Sequence, residues 1–317
     1  ASLTFESPDI LRSQCSGLRD RLRQVPLPAA LVKAIEFEFQ NLATADTDCF
    51  AVRSSSTLED LAQAAFAGQH DTYLNVRGIA SILASVRDCF LSLWQDRAVL
   101  YRHHQGFQQR HVSMAVVVQR QIASDRAGVA FSVDPVRGRL DRMVLDANYG
   151  LGESVVSGEY EVDHFELDKA SLKMVAQNIG RKDRQIVAVE RGVEVHDVAE
   201  PQVNVACLRE EDLQQVGDLL KRVEDHYGWP QDIEWGFCDG DLYLFQSRAV
   251  TTLQARYTRD ESAERFPNPM TPLTWDFLQA VFRRSLRHSL ELMGLPSIKS
   301  DWFSLHDDYV YGNQNAV

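Results

Sequence analysis

The sequence predicts an α+β fold, on three observations. Apolar residues recur at helical spacing in several long stretches, β-branched runs dominate the middle of the chain, and the two do not alternate with a βαβ rhythm. Helical spacing is expected over Ile10–Val25 and Pro28–Leu42, separated by Pro26-Leu27-Pro28, where proline suits a helix start. Cys49-Phe50-Ala51-Val52 then reads as a short strand that ends in the polar turn Arg53-Ser54-Ser55-Ser56-Thr57. Ile79, Ile82, Leu83, Val86, Phe90, Leu93 and Trp94 predict one long amphipathic helix from Gly78 to Tyr101.

From Val112 the pattern turns to strands: Met114–Gln119, Gly128–Val133, Arg142–Asp146, Tyr160–Leu167 and Leu172–Asn178. Glu210–Tyr227 returns to amphipathic helix. Asp232–Gly236 and Leu242–Gln246, joined through Asp239-Gly240, have the turn chemistry of a hairpin. The charged stretch that runs to Arg265 reads as a linker, Pro267–Pro272 as an extended turn, and Trp275–Gly294 as a further helix.

Composition narrows the function classes. At 317 residues, 44% hydrophobic and 25% charged, the chain can bury a substantial core, and it exceeds the usual size of a single one. With 33 Lys and Arg against 45 Asp and Glu, the net charge of −12 disfavours nucleic acid as a partner. It does not disfavour a nucleotide, since a few arginines, backbone N–H groups and a cation suffice for a triphosphate. The five cysteines form no C-x-x-C pair, which argues against a disulfide framework or a zinc site. No apolar run approaches the ~20 residues that cross a bilayer, and the N-terminus has no signal organisation, so no membrane partner and a cytoplasmic location are expected.

Four segments carry candidate chemistry. Arg53 beside three serines and a threonine suits phosphate oxygens, although an exposed salt bridge to Glu59 or Asp60 is the commoner use of such an arginine. Gly68 followed by Thr72 offers a backbone turn and a hydroxyl for phosphates, and most such turns are only turns. His70, between polar neighbours, is given no catalytic role. Asn148–Gly158 places three glycines after an apolar strand, where the backbone bends or approaches a ligand; it fits neither the Walker nor the dinucleotide pattern, and a tight structural loop is the alternative. On the predicted hairpin, Glu234 and Gln246 share the face opposite Ile233 and Phe245, so their oxygens can meet one hard cation, with Arg248 on the same face.

In this order, Ala51–Ser55, Phe66–Gln69, Val116–Ile122 with Ser124–Ser132, Asn148–Gly158, and Gln231–Trp235 with Gln246-Ser247-Arg248 closely resemble the ATP-binding region of the PEP synthase and pyruvate phosphate dikinase family. The resemblance covers roughly residues 20 to 252 and is closest in type to the multidomain rifampin phosphotransferase-like enzymes. It implies an ATP-grasp fold whose two lobes clamp Mg-ATP, and a separate swivelling domain whose histidine passes a phosphoryl group to a small-molecule acceptor such as pyruvate or an antibiotic. By resemblance, Arg53 and Arg248 contact phosphates, Gly68 and Thr72 line the nucleotide pocket, and Gln119 lies at the adenine hinge. Glu234 and Gln246 hold magnesium and phosphate oxygens, with Asp232 as a helper.

The same resemblance implies a partial N-terminal lobe over 1–110, a C-terminal lobe over 111–252, and over 253–317 a linker with the start of a further, mostly helical unit, a substrate-binding or central domain. Two departures stand out. The family's Gly-Gly-Lys element has no counterpart before Arg53, where Lys33 falls in a helical pattern, and the histidine-bearing domain is not found within the chain. The 317 residues alone are therefore expected to bind ATP weakly and transfer almost nothing. A non-catalytic nucleotide sensor and an ATP-dependent ligase on the same fold are the alternatives.

Overall fold

The computed structural model describes all residues except 1, 2, 6, 44–47, 58, 59, 62, 63, 66–70, 110, 111, 191, 251–256, 261, 295–300 and 314–317. In chain order the elements are α1 (Pro8–Arg23), α2 (Ala29–Leu42), β1 (Phe50–Ser56), β2 (Asp60–Leu61), β3 (Ala64–Ala65), β4 (Thr72–Val76), α3 (Ile79–Ser92), α4 (Asp96–His104), β5 (Met114–Arg120), β6 (Arg126–Phe131) and β7 (Arg142–Tyr149). There follow α5 (Glu153–Val156), β8 (Asp163–Asp168), β9 (Met174–Asn178), β10 (Arg184–Ala188), β11 (Val193–Asp197), α6 (Glu200–Val203), α7 (Glu210–Tyr227), β12 (Gln231–Cys238) and β13 (Asp241–Ala249). The last are β14 (Tyr257–Thr258), α8 (Ser262–Arg265), α9 (Pro272–Leu292), β15 (Phe303–His306) and β16 (Tyr309–Asn313).

Two antiparallel sheets organise what matters for function. The first runs β4-β1-β5, and Phe50, Val52 and Val76 pack with Ile82, Val86 and Cys89 of α3. The second runs β13-β12-β6-β7-β8-β9 and is covered by α7, where Leu213, Val216 and Leu220 meet Met143, Leu145, Phe165, Ile233, Trp235 and Phe237. α7 is well specified at both ends: Arg209 and Asp212 form a reciprocal cap, and Gly228 takes the left-handed conformation that closes the last turn. Each sheet thus has one face committed to core, and every second residue of its strands is left for the opposite face.

Three expectations need correction. Arg53 does not end its strand, because β1 stays paired with β5 as far as Ser56 opposite Met114, and Ser54 and Ser56 are buried along it. The stretch from Gly78 to Tyr101 is two helices. α3 stops at Ser92, whose hydroxyl donates to the carbonyl of Cys89 at 2.7 Å; Gln95 is extended, and Asp96 starts α4. The Arg102 guanidinium, buried beneath this corner, donates to the carbonyl of Leu93 and fixes the break. The charged stretch before Arg265 also carries structure, since β14 pairs with β16 and α8 follows it. The β10–β11 hairpin was not anticipated: its sequence mixes charge with β-branched residues, and β11 is largely exposed.

Candidate functional site

β1 sends Phe50 and Val52 into the core under α3, so Ala51, Arg53 and Ser55 occupy the other face. Antiparallel register places Arg53 directly opposite Thr72 on β4 and Val117 on β5, and Ala51 opposite Gln119. Directly paired residues lie on one side of a sheet, so Arg53, Thr72 and Gln119 share a face. Thr72 begins a strand rather than ending a loop. Gly68 and His70 lie outside the described residues.

The second sheet presents a matching set. Ile233, Trp235 and Phe237 are fully buried against α7, which leaves Asp232 and Glu234 on the opposite face. Glu234 pairs with Gln246 and Asp232 with Arg248 across β12 and β13. The turn has Asp239 and Gly240 both at positive φ, 53° and 90°, as a two-residue hairpin requires. Its register, with Cys238 opposite Asp241, would set Phe245 against Glu234, and an irregularity between Glu234 and Trp235 brings Gln246 there instead. The two faces meet: Nη1 of Arg53 lies 4.0 Å from Oε2 of Glu234, with both side chains mostly shielded from solvent.

Gln246 Oε1 is buried and has no hydrogen-bond partner among the described residues. An acceptor left in that state costs about 1–3 kcal/mol, which a ligand can recover. It stands opposite a carboxylate, and a carboxylate oxygen with an amide oxygen is a donor set suited to a hard cation such as magnesium. Among the described residues no group of three or more His, Cys, Asp or Glu forms a metal cluster. A cation held here would therefore complete its shell with water or ligand oxygens.

The structure adds groups that the sequence did not single out. The row Glu234, Val129, Asp146, His164 crosses four strands on the same face, and His164 Nδ1 lies 2.7 Å from Asp146 Oδ1. Strand alternation was the signal, but it required knowing which strands are neighbours. Within the glycine segment, Gly150 has a structural use, whereas a β-carbon on Gly158 would meet open space. Gly150 has φ +77° and carries the carbonyl of Ile186 where a β-carbon would sit, at 2.2 Å, so no larger residue fits that contact. The buried thiols are poor nucleophiles: burial, reinforced by Asp71 and Asp88, pushes Cys89 up to about 12, and burial raises Cys207 further from its ordinary value.

Residues 1–267 match the pyruvate phosphate dikinase AMP/ATP-binding domain. The chain belongs to that family. Within the dikinase family, its relatives include the phosphoenolpyruvate synthase of Pyrococcus furiosus, 36% identical over 267 residues, covering 80% of this chain and 33% of the relative. A probable phosphoenolpyruvate synthase of Methanocaldococcus jannaschii is 36% identical over 258 residues, covering 80% and 22%. The rifampicin phosphotransferase of Bacillus cereus is 36% identical over 259 residues, covering 80% and 29%. The chain thus spans a third or less of the length of these relatives. It is an ATP-binding domain, and every candidate position from Arg53 to Arg248 falls inside the matched residues. No helix among the described residues is long and apolar enough to cross a membrane.

Proposed function

We infer that this dikinase-family domain is an ATP-grasp unit that holds Mg-ATP between its two sheets, as part of a longer cytoplasmic phosphotransferase. The observation that carries this is the convergence of Arg53 from the first sheet on Glu234 from the second, beside the unsatisfied oxygen of Gln246. The two sheets act as the two lobes, divided after β5, which pairs with β1, rather than at residue 110; the second lobe runs to about residue 252, and 253–317 begin a further unit. Arg53 and Arg248 bind phosphate oxygens, Gly68 and Thr72 line the pocket, and Gln119 lies at the adenine end. Glu234 and Gln246 hold magnesium, with Asp232 beside them.

Phosphoryl transfer asks little covalent chemistry of a protein and much positioning and charge stabilisation. Bound magnesium would neutralise phosphate charge. The arginines orient the triphosphate, and the carboxylate of Glu234 keeps Arg53 directed into the cleft. The phosphoryl group passes to a histidine on a swivelling domain of the same enzyme and from there to a small molecule, pyruvate or an antibiotic being the acceptors that fit the relatives' names.

Calorimetry on the full-length protein with a non-hydrolysable ATP analogue should show binding that depends on magnesium. Absence of binding with the metal present rejects the reading. Incubation with γ- and β-labelled ATP should then place acid-labile label on a histidine outside residues 1–317. Rapid stoichiometric labelling of any histidine within them would put the acceptor in the wrong place.

A further inference from the structure

We propose that Asn75 is a positioning residue for the nucleotide: it latches the β10–β11 hairpin, which is rooted in the second sheet, onto the first sheet, and so sets the separation of Arg53 and Glu234. The proposal rests on the nucleotide reading above. Asn75 is 2% exposed and sits at φ +52° beside an irregularity in the β1–β4 register, a left-handed conformation that asparagine tolerates better than most residues. Its side-chain amide donates to the carbonyls of Gly192, at 2.7 Å, and Val189, both at the tip of the hairpin. Its backbone N–H donates to Oε1 of Gln121, and its own Oδ1 accepts from Arg77 at 3.4 Å. The latch is thus tied to β4 and, through Gln121, to the end of β5.

The other end of the hairpin is equally anchored. Leu151 N–H donates to the carbonyl of Ile186 at 2.8 Å, the Asn148 amide donates to the carbonyl of Arg184 at 3.2 Å, and Gly150 packs its backbone on Ile186. Lys182, two residues before β10, is buried in an ion pair with Asp163 of β8 at 2.5 Å. A strap fixed to one sheet at its base and clasped by the other at its tip limits how far the two can separate. Thr72, opposite Arg53, is three residues before Asn75 on β4, so the clasp and the candidate site share one strand.

The test is a double-mutant cycle on the full-length protein, with magnesium and a non-hydrolysable ATP analogue as probe. Asn75→Gly keeps the left-handed backbone open and removes only the amide. It should weaken binding roughly 10-fold in the wild-type background and less than about 2-fold in the Arg53→Ala background, because both changes undo the same convergence. A purely structural role predicts equal losses in the two backgrounds, and that result overturns the latch, as does unchanged affinity of Asn75→Gly. Should Asn75→Gly fail to fold, Gln121→Met removes the clasp on the β5 side and is read by the same cycle. Absence of binding by the wild type would reject the nucleotide reading itself, and is distinct from binding that the latch variants leave untouched.

Discussion

Glu234 and Gln246 occupy opposed positions on one hairpin, yet their removal should have different consequences. Glu234 carries charge and faces Arg53, so Glu234→Ala should weaken Mg-ATP-analogue binding by about 1.5–3 kcal/mol, the range for hydrogen bonds to charged groups, or roughly 10- to 100-fold. Gln246 is neutral, and its oxygen is already unsatisfied without a ligand. Gln246→Met should therefore cost affinity by about 1 kcal/mol while leaving the unliganded protein as stable or more so, since the substitution removes a buried unpaired acceptor. Titration of both variants beside their melting temperatures checks this: full affinity in both would make the hairpin structural only. The register of Gln246 and Arg248 against Glu234 and Asp232 rests on an irregularity between Glu234 and Trp235, the Asp-Gly turn alone setting Phe245 against Glu234. That Gln246 and Arg248 share a face of their own strand was legible from alternation. Proximity of Arg53 to Glu234 was not, since no local pattern encodes a contact between two sheets.

At the scale of elements, the hairpin of β12 and β13 and the helix α7 could be read from periodicity, whereas the corner between α3 and α4 could not. Leu93 and Trp94 continue the helical apolar spacing through that corner, and the break is imposed by the buried Arg102 and the Ser92 hydroxyl, which are tertiary and capping effects. The β10–β11 strap escaped for a related reason: it is anchored by polar contacts rather than by an apolar face. Its base depends on Lys182 and Asp163, whose side chains are both fully buried; Asp163 also accepts from the backbone N–H of Cys207 at 2.7 Å, and Lys182 donates to the carbonyl of Gly180 at 3.0 Å. Removing one partner of such a pair leaves an uncompensated buried charge. Lys182→Met should destabilise the protein by about 3–5 kcal/mol, and Lys182→Met with Asp163→Asn should recover part of the loss. Denaturant unfolding measures both, and a single variant within 1 kcal/mol of wild type would show that water reaches the site.

For the molecule as a whole, the decisive feature is that its cores are separate. Trp275, Phe303 and Val310 form a cluster with Phe266, Met270 and Phe282 that shares no residue with the cores under α3 and α7, and β14, β15 and β16 make a sheet of their own. Every candidate ligand group lies at or before Arg248, and Val250 still belongs to the second sheet's surroundings, donating its N–H to the carbonyl of Pro230 and accepting from the Trp229 indole at 2.9 Å. On the outer side of α9, Leu273, Phe277 and Val281 are 81%, 75% and 60% exposed at successive helical turns, an apolar stripe that belongs to neither of the two sheets' cores. A chain ended after Val250 should therefore bind the magnesium-ATP analogue within about 2-fold of the 317-residue chain, since among the described residues the C-terminal cluster shares no core residue with the two sheets, and separate sites act independently. Calorimetry on the two proteins side by side is the measurement. A loss of 10-fold or more, with the shorter chain still folded by circular dichroism, would mean that the C-terminal unit shapes the cleft and that the boundary near residue 252 has been drawn through a single working body.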